Sequence, residues 1–292
     1  MGLNIPQYEN ICTLIKNGFQ MKNLIKKENI VDYRLIDYIM KNKSDDIELL
    51  KSIKEYYNNA YVINNNRCLV ISDNHMGRLH QNEDYNTYLR RLNDEYGLYN
   101  EKGLYMAFNY AISNNINNII HAGDLLEGNS DPNTKRLPVN AQEEYLKMKY
   151  PQINGINTFL LLGNHDYNTS YFCEINEQVI RNINYLDVIG VNYSYISFCN
   201  RLIKVSHYSK LSDFYENIDL PYEFELSGHS HSEYMVEERR KIGVPALAVA
   251  GELDSRIGFY ELIDEEHEYL FKLFDKDCKY TKEYVLKKLS LK

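Results

Sequence analysis

Polar side chains that can bind a metal ion and move a proton follow an apolar run near the middle of the chain. Residues 158–166 read Thr-Phe-Leu-Leu-Leu-Gly-Asn-His-Asp. The apolar part is short, continuous and followed by glycine, which is typical of a strand buried on both faces. Asn164, His165 and Asp166 then lie at the strand end, where open α/β sheets bind their ligands. Taken alone, Gly-Asn-His-Asp could equally be an ordinary turn.

The same pattern, an apolar run followed by carboxylate or imidazole groups, occurs at four further places. Because the carboxyl ends of parallel strands meet at one edge of a sheet, these groups can converge although they lie far apart in sequence. Mixed carboxylate, imidazole and amide ligands favour Mn, Fe or Zn over Ca or Mg alone. Two metals about 3.5–4 Å apart need a shared ligand, and the central Asp124 is the natural bridge. The metal-ligand residues at these places are Asp73, His75, Asp124, His207, His229 and His231.

Alternating strands and helices must position these residues. This alternation begins at residue 67 and is the pattern of an α/β fold. Apolar runs predict strands at residues 68–71, 119–120, 158–162, 202–205, 224–226, 246–250, 258–263 and 269–274. Helical periodicity predicts helices at residues 83–96, 101–113 and 139–150, and a short basic helix that closes the chain.

Residues 1–62 have a different pattern and are predicted to form a separate helical segment, leaving residues 63–292 as the main domain. Their apolar residues recur at helical spacing over three short stretches. The order of a helix, a tight turn and a second helix resembles a helix-turn-helix. Residues 61–63 and 67–71, joined by three asparagines, could pair as a hairpin and form a wing. DNA binding is one interpretation of this segment, and a helical cap or dimerisation arm is the alternative. The first half of this segment is basic through Lys16, Lys22, Lys26 and Lys27.

Composition limits the class of protein. The net charge of −8 argues against a protein whose whole surface binds nucleic acid. The five cysteines are scattered without a C-x-x-C motif, which fits the reduced thiols of a cytoplasmic protein. The chain does not start with a secretory signal, and no apolar run approaches the ~18 residues that cross a membrane. We therefore expect a cytoplasmic protein, and its oligomeric state stays open.

Five sequence blocks resemble those of the calcineurin-like metallophosphoesterases and occur in the order of that family. They are Asp-x-His at 73–75, Gly-Asp at 123–124, Gly-Asn-His-Asp at 163–166, His207 and Gly-His-x-His at 228–231. The resemblance covers residues 67 to about 274. It implies a four-layer α/β/β/α sandwich, to which the small N-terminal helical segment is added.

The resemblance also implies a site for two divalent metal ions, for which we favour manganese over iron or zinc. The first metal would be bound by Asp73, His75, Asp124 and His231. The second would be bound by Asp124, Asn164, His207 and His229. A hydroxide that bridges the metals would attack phosphorus in line with the leaving oxygen.

Other polar residues receive roles around this metal pair. His165 would protonate the leaving oxygen, and Asp166 would hold or orient His165. Arg78 and His80 follow the first ligand pair and could contact a substrate phosphate. His121 precedes Gly-Asp on a predicted buried strand, and we expect it to pack there instead of binding metal.

Two differences from the protein serine/threonine phosphatases of the family narrow the range of expected substrates. Those enzymes have Arg-Gly after the second block and end the third in Glu, whereas this chain has Glu127-Gly128 and Asp166. Residues 140–156 are similar to metallophosphoesterases of bacteria and phages. We therefore expect hydrolysis of a phosphodiester in DNA or RNA by a nuclease. The alternatives are a phosphodiesterase or phosphatase for a cyclic or dinucleotide, with residues 1–62 as a cap or dimer arm, and an inert DNA-binding scaffold.

Overall fold

The computed structural model describes residues 61–79, 99–128, 135–166, 180, 182–191, 193–207, 222–248, 257–275 and 277–289. The predicted segment 1–62, apart from its last two residues, lies outside this part of the chain. So do the predicted helix 83–96 and His80. Within the described residues, no helix is long and apolar enough to cross a membrane.

The described residues form two α-helices and thirteen strands in a mixed α/β arrangement. The helices are α1 (Tyr99–Ser113) and α2 (Val139–Lys149). The strands are β1 (Val62–Ile63), β2 (Arg67–Ile71), β3 (Asn118–His121), β4 (Asn157–Leu162), β5 (Leu186–Val191), β6 (Tyr193–Phe198), β7 (Arg201–Ser206), β8 (Glu225–Ser227), β9 (Tyr234–Val236), β10 (Lys241–Gly243), β11 (Gly258–Asp264), β12 (Glu268–Asp275) and β13 (Tyr280–Lys287).

The strands follow one hydrogen-bonded path that divides into two halves. Its order is β13-β12-β11-β2-β3-β4-β5-β6-β7-β8-β10-β9, and β1 pairs with β6. The strands β5 and β6 share a single residue pair, Val191 with Tyr193. One buried cluster combines side chains from both sides of this join, such as Val70 of β2 and Val205 of β7. The two halves therefore pack face to face as two sheets, as the sandwich expectation requires.

The half of the path that contains β2, β3 and β4 is the first sheet. A second buried cluster lies on its other face, where α1 and α2 pack. Leu69 and Ile71 of β2 belong to this cluster, whereas Cys68 and Val70 belong to the cluster between the sheets. Burial on both faces explains why these strands read as unbroken apolar runs. The strands β2, β3 and β4 are parallel, so the residues that follow them emerge at one edge.

Three of the secondary-structure predictions are wrong. The strand β1 does not form a hairpin with β2, because β3 and β11 occupy the two edges of β2 and β1 pairs with β6. Residues 246–248 are irregular, not the start of a strand. The last element of the described residues is β13, not a helix. Seven residues of this basic stretch pair with the edge of β12, and this pairing overrides their helical propensity.

Candidate metal centre

The first group of ligand atoms comprises a carboxylate oxygen and two imidazole nitrogens. The Nε2 atom of His231 lies 3.2 Å from Oδ1 of Asp73. It also lies 3.2 Å from Nε2 of His75, which is 3.9 Å from the same Asp73 oxygen. The turn after β2 supplies Asp73 and His75, and the turn after β8 supplies His231. The two halves of the sandwich therefore both contribute to this group.

The second group combines a carboxylate, an amide and two imidazoles. The Nε2 atom of His207 is 2.9 Å from Oδ2 of Asp124 and 3.2 Å from Oδ1 of Asn164. The Nδ1 atom of His229 is 3.0 Å from the same Asn164 oxygen. The Asp124 Oδ2 atom also lies 3.9 Å from Nε2 of His75, so one oxygen faces both groups.

These separations fit ligands that surround metal ions. Two atoms bound ~2.1 Å from one metal at angles of ~90–110° lie ~3.0–3.4 Å apart, and further apart at wider angles. Oδ1 of Asp73 and Oδ2 of Asp124 are buried, and neither accepts a well-aligned hydrogen bond from the described residues. An uncompensated buried carboxylate oxygen is costly, and a bound cation would compensate both.

A hydrogen bond on the far side of the His207 ring and a close carboxylate contact on the far side of the His75 ring turn their Nε2 atoms toward the centre. The Nδ1–H of His207 donates to the Ala122 carbonyl at 2.7 Å. The Nδ1 of His75 lies 2.9 Å from Oε2 of the buried Glu127. Such contacts fix the tautomer and orientation of a metal-binding histidine.

The charge of Asp124 dominates the electrostatics of His207. Burial opposes protonation of this imidazole, but the neighbouring Asp124 carboxylate raises the pKa of His207 to about 10. A positive charge, either a proton or a metal ion, is therefore favoured between the two side chains. His121 differs, because burial lowers its pKa to about 3. Its neutral ring lies 2.8 Å from Oδ1 of Asn74 and packs beneath the centre.

The backbone at the ligands adopts a conformation that few residues tolerate. Asp73, His75, Asp124, His229 and His231 have φ angles between 48° and 70°. Aspartate and histidine enter this left-handed region more readily than most side chains, but the cost is still of order 1–3 kcal/mol per residue. Strain of this kind clusters at functional sites.

Glycine is required in the third block because the chain approaches the ligands closely there. A Cβ atom on Gly163 would lie 2.2 Å from Oδ1 of Asp124 and 2.7 Å from the His207 ring. Any larger residue would therefore push this turn away from both ligands.

His165 lies beside the two groups and is partly exposed. Its backbone N–H donates to Oδ1 of Asp124 at 2.8 Å, and its Nδ1–H donates to the Glu127 carbonyl at 2.7 Å. The centre of its ring is 4.6 Å from that of His75. With Nδ1–H held by the carbonyl, Nε2 becomes the atom that can transfer a proton.

We expected Asp166 to hold or orient His165, and its hydrogen bonds among the described residues fix the backbone of the turn that carries His165. Its Oδ2 accepts the N–H groups of Gly163 at 2.9 Å and Leu125 at 3.1 Å. Its Oδ1 accepts the Leu126 N–H at 2.7 Å. The buried carboxylate thus joins the third block to the loop after Asp124.

Arg78, which we expected to contact substrate, is paired with Glu127. Its Nε donates to Oε2 of Glu127 at 2.9 Å, and its Nη2 lies 3.4 Å from Oε1. The contacts of Glu127 with Arg78 and His75 were not predicted from the sequence, in which Glu127 only distinguishes family branches. The only sequence signal was an acidic residue three positions after Asp124.

Known proteins that are similar to this chain include phosphoesterases. A family model described as calcineurin-like phosphoesterase matches residues 67–241. The solved structure of Yfce, a phosphoesterase from E. coli, is similar over 75% of this chain and 98% of its own, with 10% identity and a TM-score of 0.43. An archaeal phosphodiesterase is similar over 75% of this chain and 99% of its own, with 15% identity and a TM-score of 0.36. No curated protein matches the sequence significantly.

Proposed function

The chain belongs to the calcineurin-like phosphoesterase family and is a metal-dependent phosphoric ester hydrolase, and we propose that it cleaves phosphodiesters in nucleic acid with two divalent cations. The observation that carries this proposal is the position of Asp124 Oδ2, which faces a ligand group on either side. His165 lies next to both groups, where it can meet a bound phosphoester.

The first cation would be held by Asp73, His75, Asp124 and His231. The second would be held by Asp124, Asn164, His207 and His229. When bound, the cations neutralise the charge of the phosphate and make hydroxide available from water near neutral pH. The mixed oxygen and nitrogen ligands favour manganese, iron or zinc, and we take manganese as the first ion to test.

His165 is the proposed proton donor to the leaving oxygen. The Glu127 carbonyl binds the Nδ1 side of its ring, and the partly exposed imidazole can turn Nε2 toward substrate. Proton transfer by a positioned histidine contributes ~10²–10⁴-fold to turnover. Asp166 supports this step indirectly, since it fixes the turn that carries His165.

The ion pair between Arg78 and Glu127 supports a phosphodiester substrate over a phosphomonoester. A phosphomonoester carries up to two negative charges near neutral pH, and a guanidinium that binds it bidentately would help to compensate the second one. The Arg78 guanidinium is instead engaged by Glu127 through two contacts. A diester has only one phosphate charge, which the cations can compensate without Arg78.

Nucleic acid is proposed as the substrate because of the sequence of residues 1–62. The helix-turn-helix pattern of this segment and the four lysines of its first half, Lys16, Lys22, Lys26 and Lys27, would attract a polyanion to an otherwise acidic chain. The competing possibility is a cyclic or dinucleotide substrate, which the same catalytic centre could hydrolyse without any help from these lysines.

Hydrolysis assays on the full chain with Mn²⁺ separate these substrates. We expect cleavage of bis-p-nitrophenyl phosphate to exceed that of p-nitrophenyl phosphate, and we expect degradation of single-stranded or duplex DNA. Diester cleavage with intact DNA would favour a small-molecule substrate. Faster cleavage of the monoester would overturn the diester proposal.

A set of lysine substitutions tests the role of residues 1–62. Alanine at positions 16, 22, 26 and 27 should weaken DNA cleavage and its dependence on salt, while hydrolysis of the small diester stays unchanged. The matched control places alanine at four exposed lysines elsewhere, Lys102, Lys147, Lys279 and Lys287. An equal loss of DNA cleavage in both variants would show that only the net charge of the protein matters, and would contradict a specific role of residues 1–62.

A further inference from the structure

We propose that Gln142, a buried residue of α2, is a positioning residue that fixes the peptide group between Glu127 and Gly128 and thereby the tautomer of His165. The catalytic part of this proposal rests on the role proposed above for His165. The structural part, which concerns the tautomer, can be tested without any turnover.

The Gln142 side chain uses both ends of its amide on the loop that follows Asp124. Its Oε1 accepts the N–H of Gly128 at 2.8 Å. Its Nε2 donates to the carbonyl of Gly128 at 2.9 Å and to that of Leu137 at 2.8 Å. The residue is fully buried, so water cannot replace these hydrogen bonds if the side chain is removed.

The first of these bonds acts on the peptide group that holds His165. The N–H of Gly128 and the carbonyl of Glu127 belong to one planar unit and point in opposite directions. Gln142 binds the N–H side of this unit, and the Nδ1–H of His165 donates to the carbonyl side at 2.7 Å. Acceptance of the N–H by Gln142 also polarises the carbonyl, which strengthens its hydrogen bond to His165.

The backbone alone does not fix the orientation of this peptide group. Gly128 has a φ of 62°, and glycine adopts positive and negative φ about equally well. Rotation of the peptide group is therefore inexpensive in the absence of Gln142. A flipped group would present N–H instead of C=O to the His165 ring, and this would favour the tautomer with its proton on Nε2.

The hydrogen bond at Nδ1 determines whether Nε2, on the opposite side of the His165 ring, can carry a transferable proton. While Nδ1–H is bound to the Glu127 carbonyl, Nε2 can take up a second proton and release it to the leaving oxygen, which returns the ring to the Nδ1–H tautomer. In a population with a backbone N–H facing Nδ1 and the single proton on Nε2, the ring cannot take up this second proton and does not serve as the proton donor. Loss of Gln142 should therefore reduce kcat more than KM.

Nitrogen-15 NMR of the histidine rings in the full, metal-free chain tests the structural part directly. In spectra of the neutral imidazole ring, we expect His165, assigned by comparison with His165→Ala, to carry its hydrogen on Nδ1 alone in the parent chain. Gln142→Leu should give a mixture of tautomers. Gln142→Glu keeps an acceptor for the Gly128 N–H but loses both donors, so it should be destabilised and still retain the single tautomer.

Gln152→Leu is the matched control, because this glutamine follows the same helix and, within the part of the chain that the structure describes, its hydrogen bonds go to Lys147 and Asn184, remote from the centre. It should leave the His165 tautomer unchanged. A single Nδ1–H tautomer in Gln142→Leu would overturn the proposal. A mixture in Gln142→Glu as large as that in Gln142→Leu would also overturn it, since a general loss of packing would then explain both. If Gln142→Leu does not fold, Gln142→Glu is compared with the parent chain alone, and any mixture of tautomers in it overturns the proposal.

The activity measurement then uses Mn²⁺ and the small diester. Gln142→Leu should lower kcat by about 10- to 100-fold, the size seen when the support of a site residue is removed, with unchanged KM and Mn²⁺ affinity. If the tautomer changes and kcat does not, Gln142 still positions His165, and the proposed role of His165 in catalysis fails instead. Loss of Mn²⁺ affinity equal to the loss of kcat would contradict a selective effect on His165.

Discussion

The two ligand groups differ in how their buried histidines are held. His207 of the second group binds a backbone carbonyl, that of Ala122, which no side-chain substitution can remove. His75 of the first group depends on a side chain, the Glu127 carboxylate, which is itself paired with Arg78. The support of His207 in the second group is therefore built into the backbone, whereas a substitution at Glu127 can remove the support of His75 in the first group. The Oδ2 atom of Asp124 faces both groups.

Removal of the shared ligand should have the largest effect. Asp124→Asn takes a charge from both groups, so we expect metal binding to weaken at both and turnover to fall by about 10³-fold or more. Metal content after dialysis and hydrolysis of the small diester would measure this. Asp187→Asn, an exposed aspartate on β5, is the control. Retention of one metal at full affinity would show that Asp124 serves only one group.

His165→Ala should separate turnover from metal binding. We expect a loss of about 10²–10⁴-fold in kcat because the leaving oxygen loses its proton donor. Most of the metal should remain bound, since His165 belongs to neither proposed ligand set. If metal analysis shows a loss of metal as large as the loss of rate, His165 acts in ligation and its proposed role is wrong.

Glu127→Gln should affect the two groups unequally. His75 would lose its carboxylate partner, and we expect a fall of about 10- to 100-fold in the affinity of one metal. The second metal should be unaffected, because His207 keeps the Ala122 carbonyl. A titration with Mn²⁺ that resolves two sites would measure both affinities, with Glu144→Gln on the exposed side of α2 as the control. Equal weakening at both sites would remove the distinction between the groups.

Arg78→Gln should have the smallest effect. If the guanidinium serves mainly to hold Glu127, its removal should weaken the same metal by about two- to five-fold, the scale of a partly exposed ion pair. The KM for the small diester should stay constant. A rise in KM at unchanged metal affinity would restore the expectation that Arg78 contacts the substrate phosphate.

The sequence was sufficient to predict which residues gather at the centre. Asp73, Asp124 and Asn164 follow three neighbouring parallel strands, so their convergence follows from the direction of the strands alone. His207 and His231 come from the other half of the sandwich and meet them because the two sheets pack face to face. Short apolar runs that end in polar residues were enough to mark all five.

The contacts around these residues could not be predicted in the same way. Glu127 supports His75, and Gln142 binds Gly128, through tertiary contacts. No helical or strand repeat in the sequence marks the residues that form such contacts. Asp166 illustrates the same limit. Its place next to His165 in the chain suggested a contact between the two side chains, but three backbone N–H groups of two different loops take its oxygens.

Electron paramagnetic resonance of the full chain loaded with Mn²⁺ tests the central claim most directly. Two cations that share Asp124 would lie close enough for their electron spins to couple, because a shared ligand holds metals ~3.5–4 Å apart. We predict a multiline spectrum from a coupled manganese pair, which Asp124→Asn abolishes. A simple six-line spectrum of isolated ions at saturating Mn²⁺ would contradict a dinuclear centre.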